Sequence, residues 1–139
     1  MKKLLVILVS LIALNVNAQL VVREAAKDTT IWQASKLYTV PKIVKFYTDS
    51  IESYTIYYKN AKYTHITDID YITTGDLETT KQFYELCKSV IKEDKEYNLQ
   101  LNNKNISLKK GTMGTVMIWT DGSYFYLSDK YLTAILEKL

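Results

Sequence analysis

The stretch VMIWTDGSYFYL, residues 116–127, decides how this chain is read. At its centre stands Asp121-Gly122, a pair suited to a two-residue hairpin turn whose central positions both need positive φ. Counting outward from the turn sets Thr120 against Ser123, Ile118 against Phe125 and Val116 against Leu127 on one face. Trp119 against Tyr124 and Met117 against Tyr126 share the other. Both faces of this hairpin are thus apolar, and one must pack on a helix. The second is either buried by a further layer or left open as an aromatic platform. Burial between two layers is the reading that this pattern favours.

Helical periods flank and precede the hairpin. Ser128 caps a helix predicted over 129–139, with Leu132, Ile135, Leu136 and Leu139 on one face. Upstream, Asp76 caps a second helix over 77–94, whose stripe is Phe83, Leu86, Cys87, Val90 and Ile91. Between the helices, alternation returns in Tyr97, Leu99 and Leu101 and then in Ile106 and Leu108. A turn placed at Asn103-Lys104 pairs Leu101 with Ile106 and Leu99 with Leu108.

The first half carries strand patterns at 31–38, 53–59 and 63–72, with 19–30 read as a lead-in of no clear period. Segment 42–48 suits two periods. Pro41 favours a helix start, which puts Ile43, Val44, Phe46, Tyr47 and Ile51 on one face, and helix is the preferred assignment. The fold class is therefore α+β: mostly antiparallel sheet of about six to eight strands, with the two amphipathic helices on one face. Both halves run strands, hairpin and helix; convergence explains this order as well as duplication does.

Residues 1–18 match a secretory signal peptide, and 19–139 are read as a single exported domain. Lys2 and Lys3 precede an apolar run from Leu4 to Leu14, and Val16-Asn17-Ala18 ends in a small residue. That run is too short to cross a bilayer, which takes about 20 residues. No membrane span is expected after its removal, and the expected location is periplasmic or secreted.

Losing residues 1–18 removes Lys2 and Lys3 from the 18 basic side chains, leaving 16 against 15 acidic ones. A nucleic-acid partner, which would need a basic excess, is not expected. One cysteine, Cys87, makes no disulfide framework. The 12 tyrosines, all after residue 18, point first to sheet.

Catalytic chemistry finds little support. His65 is the only histidine, so a Cys87–His65 pair would need a thiolate from mid-helix on an apolar stripe, where burial is the simpler reading. No G-x-S-x-G elbow exposes a serine, and no glycine-rich phosphate loop surrounds Gly111 and Gly114. Asp68 and Asp70, two apart on one expected strand, are weak candidates for a divalent cation or acid–base work. No catalytic residue and no cofactor is assigned.

The function these residues suggest first is a non-catalytic exported binding or inhibitor-type module. Its surface would be Met117, Trp119, Tyr124 and Tyr126, and its partner an envelope or extracellular protein or a glycan. A small envelope enzyme using Asp68 and Asp70 and a structural envelope protein are the alternatives. Cleavage after Ala18 predicts that protein exported by its native host begins at Gln19. Intact-mass measurement checks this, and a soluble exported form retaining Met1 to Ala18 would refute it.

Overall fold

The computed structural model describes residues 27–35, 40–62 and 68–139. The segment read as a signal peptide therefore lies outside the described residues. The first half folds as β1 (Lys27–Gln33), β2 (Lys42–Thr48), β3 (Ile51–Lys59), β4 (Ile69–Gly75) and helix α1 (Leu77–Glu93). The second repeats that order as β5 (Tyr97–Leu101), β6 (Lys104–Lys110), β7 (Thr115–Thr120), β8 (Ser123–Ser128) and helix α2 (Asp129–Lys138). The strands form two four-stranded antiparallel sheets, β1-β2-β3-β4 and β5-β6-β7-β8, each in simple sequence order. The fold is α+β, with both helices packed against the sheets. Among the described residues no helix is long and apolar enough to cross a membrane.

Turn chemistry sets the registers. In the β7–β8 hairpin Asp121 and Gly122 have φ of 41° and 86°, and the pairing is the one counted from the sequence, Val116 with Leu127 through Thr120 with Ser123. The β5–β6 hairpin differs from expectation. Its turn is Asn102-Asn103, with φ of 46° and 65°, not Asn103-Lys104. Leu99 consequently pairs with Ile106 and Tyr97 with Leu108. The physical reason is that asparagine tolerates left-handed backbone and lysine does so poorly. Moving the turn by one residue shifts the pairing by two and leaves every side chain on its expected face.

Segment 42–48 is strand β2, not the preferred helix. Ile43 is buried on the face toward the helices, and its neighbour Val44 is also buried although it points the other way. Burial on both sides of a central strand erases the period of two, so the segment imitates one turn-rich face of a helix. The expected lead-in 19–30 also differs at its end, where Lys27–Thr30 begin β1. These four residues are exposed on an edge strand, which removes any apolar alternation. Expected strand 31–38 stops at Gln33, and its residues 36–39 lie outside the described residues. In expected strand 63–72, β4 starts at Ile69, while 63–67 lie outside the described residues.

Helix α1 opens on Asp76, whose carboxylate accepts from the Thr79 N–H at 2.8 Å, and closes on Asp94 in the left-handed region. Its buried side chains are Thr80, Phe83, Tyr84, Cys87 and Val90. It packs on β3 and β4 of the first sheet, on β6 and β7 of the second, and on α2. Helix α2, capped by Ser128, lies against β1 and β8. One continuous core results, with Ile43, Ile56 and Ile72 from the first sheet and Ile106, Ile118 and Leu127 from the second. Cys87 is free and fully buried, and that burial pushes its thiol well above its ordinary pKa.

Gly122 sits in open space, where an added Cβ would meet nothing, yet its φ is left-handed. Gly122→Val should therefore destabilise through backbone strain alone, by about 1–2 kcal/mol. Urea unfolding measures this, and an unchanged midpoint would show that the turn does not hold the hairpin.

Candidate functional site

The inner face of β7 and β8 is committed to the core: Val116, Ile118 and Leu127 are all fully buried. The alternating side chains must leave from the outer face, since strand residues point to opposite sides in turn. There Trp119 is 41% exposed and Tyr126 46%, with Met117 and Tyr124 half-buried beside them. The burial between two layers that the sequence favoured is thus not what this face does. Helices cover the sheet on one side only, and a single layer is enough to bury the stripe of an antiparallel sheet.

The aromatic side chains are ordered among themselves. Trp119 and Tyr124 are direct cross-strand partners whose rings stack at 5.3 Å between centroids, 9° from parallel. Tyr126 meets Tyr124 edge to face at 5.8 Å. The Tyr126 ring lies over Gly111, where a Cβ would come within 3.1 Å of it and would collide with Thr115 Oγ1. Gly111 is thus needed for this close approach.

The same face continues onto β6 and β5 with residues that sequence reasoning did not single out. Ser107 is the cross-strand partner of Trp119, and Asn98 is that of Ser107, while Gln100 pairs with Asn105. Ser107 Oγ donates to Asn98 Oδ1 at 2.6 Å. Asn98, Gln100 and Asn105 are exposed. Their alternation with Leu99, Leu101, Ile106 and Leu108 already marked them as outward-facing. What the sequence lacked was the β6–β7 register across Gly111–Gly114, which sets them beside Trp119.

The carboxylate candidates are arranged differently from expectation. Asp70 is on β4, but Asp68 is exposed one residue before that strand, so the two do not share one regular strand face. Asp70 Oδ2 accepts from Ser123 Oγ at 2.8 Å and lies 3.2 Å from the Tyr58 hydroxyl, while Oδ1 accepts from the Tyr71 N–H at 2.8 Å. Its lone pairs thus hold the two sheets together. Among the described residues no three His, Cys, Asp or Glu side chains cluster as a metal site. His65 lies outside the described residues. Cys87, sealed in the core with its thiol kept protonated by burial, is no nucleophile.

A second aromatic pair, Tyr57 and Tyr71, occupies the outer face of the first sheet at 6.0 Å. Lysines cover these rings: Lys42 Nζ is 5.6 Å from the Tyr57 centroid and Lys104 Nζ 4.6 Å from that of Tyr71. Comparison with known protein families, characterised proteins and solved structures gives no match.

Partial burial alone would raise the pKa of Asp70, but Ser123, the Tyr71 N–H, Lys104 and Tyr58 together hold it below its ordinary 3.8. The folded state then binds fewer protons than the unfolded chain near that value. The stabilisation is present above the ordinary carboxylate pKa and is lost as pH falls through the depressed one. Urea midpoints should therefore drop as the solution is acidified below about pH 4, and Asp70→Asn should flatten that drop. An equal acid dependence in both proteins would refute the role given to Asp70.

Proposed function

We propose that the chain is an exported, non-catalytic binding module that presents the outer face of its second sheet to a partner. The observation that carries this reading is the aromatic cluster of exposed Trp119 and Tyr126 around half-buried Tyr124, on a sheet whose opposite face fills the core. Large aromatic side chains held rigid by one another offer contact area at small entropic cost on binding. Among the described residues the Trp119 ring has no lysine over it of the kind that covers Tyr57 and Tyr71, so no cation of this chain occupies its face. The commitment of Asp70 to hydrogen bonds between the sheets and the burial of Cys87 favour binding over catalysis. The signal-like residues 1–18 favour a periplasmic or secreted location, where such a partner would be an extracellular or envelope component.

Trp119→Ala separates binding from folding. Losing one exposed stacked ring should cost about 0.5–1.5 kcal/mol of stability, against about 3–5 for an aromatic residue truncated in a core. Retention of native cell-surface material on the immobilised protein should fall sharply in the variant. Unfolding of the variant at room temperature, or unchanged retention by a folded variant, would remove this face as the binding surface.

A further inference from the structure

We infer that the outer face of the second sheet binds an uncharged glycan, stacked on Trp119 and hydrogen-bonded by the amides of Gln100 and Asn105; this rests on the binding-module reading above. The geometry is that of a corner. Tyr124, on the β8 side of Trp119, covers one face of the indole, and the other is turned toward β6. Directly on that side lies Ser107, then Asn98, with Asn105 and Gln100 next along the same two strands. With Leu99 and Ile106 these four residues line a shallow recess of ≈ 390 Å³, a volume within the range of ligand sites, and Trp119 stands beside it as the cross-strand partner of Ser107.

A pyranose ring has two unlike surfaces that match this corner. Its C–H groups form an apolar patch attracted to the negative π-face of an indole. Its hydroxyls, each a donor and an acceptor, ring the edge. Asparagine and glutamine amides offer one acceptor and two donors apiece, and so answer hydroxyls in either sense. The residues that line the recess carry no charge, and Lys109, farther along the same face of β6, is paired with Glu96 at 3.4 Å. An anionic polymer would lack its cations here. A protein hot spot is central and enclosed by a rim that excludes water. Here the aromatic cluster borders an open polar floor along one whole side. Two other grooves among the described residues are less apt. The one between α1 and α2 is lined by side chains of both signs, including the Lys88–Asp129 pair at 3.8 Å. The apolar recess between α1 and β5 measures ≈ 170 Å³, below the size of ordinary ligand sites.

The test uses the immobilised chain, its Trp119→Ala and Asn105→Ala variants, and cell-surface extract of the native host. The extract is applied untreated, after exhaustive protease digestion, and after periodate oxidation, which cleaves the vicinal diols of sugars. Expected is retention that survives protease, is abolished by periodate, and weakens roughly 30-fold in Trp119→Ala. Asn105→Ala should weaken it roughly five-fold. Circular dichroism of both variants confirms that they are folded. Trp119-dependent retention that protease abolishes and periodate spares would overturn the glycan and leave the binding face standing. Retention that does not depend on Trp119 in a folded variant would overturn both.

Discussion

Tyr58 is the point at which the two sheets become one protein. Its ring stacks on Phe125 of the second sheet at 3.9 Å and 16°, and it is almost fully buried. Its hydroxyl lies 2.8 Å from Ser123 Oγ, which in turn donates to Asp70 Oδ2. Apolar stacking and a charge-assisted hydrogen-bond chain thus act at the same place, one excluding water and the other satisfying the polar groups left inside. Burial drives the Tyr58 phenol well above its ordinary pKa, so it remains a neutral donor. Without this junction, each sheet would offer the helices a separate surface and the shared core would divide.

The same junction protects strand edges. Beside it, Ala61 N–H donates to the Tyr124 carbonyl at 2.7 Å, and Asn60 Oδ1 accepts from the Tyr124 N–H at 3.3 Å, so the end of β3 covers the open edge of β8. In the other direction, Asn102 donates to the Thr73 carbonyl and Lys104 to that of Tyr71, both at 2.7 Å. Side chains from the β5–β6 turn thereby occupy the edge of β4. Unpaired edges are templates for aggregation, and each sheet here occupies part of one edge of the other, β8 and β4.

Because α1 and α2 lie on the inner side only, the second sheet does two separate jobs. Its inner side chains supply core and its outer side chains are free to vary without loss of packing. The stacked Trp119 and Tyr124 gain order from each other rather than from the interior. A binding surface built this way adds little to stability and asks little of it, which is why truncating it is expected to leave the fold intact.

Local chemistry was enough to reveal both helices, with Asp76 and Ser128 as their caps, and the β7–β8 hairpin with its register. Each of these rests on contacts a few residues apart, where capping hydrogen bonds and positive-φ turns speak directly through residue type. The strand character of 42–48 was hidden, because Ile43 and Val44 are buried on opposite faces and only the neighbours β1 and β3 reveal the pleat. The aromatic side of the hairpin was equally visible as a pattern, but its exposure was not. Exposure depends on which side the helices occupy, and the placing of Ser107 and Asn105 beside Trp119 depends on a register across a four-residue loop. Those are long-range choices made by packing, since residue type at a position states what a side chain can touch and only the assembled layers state what it meets.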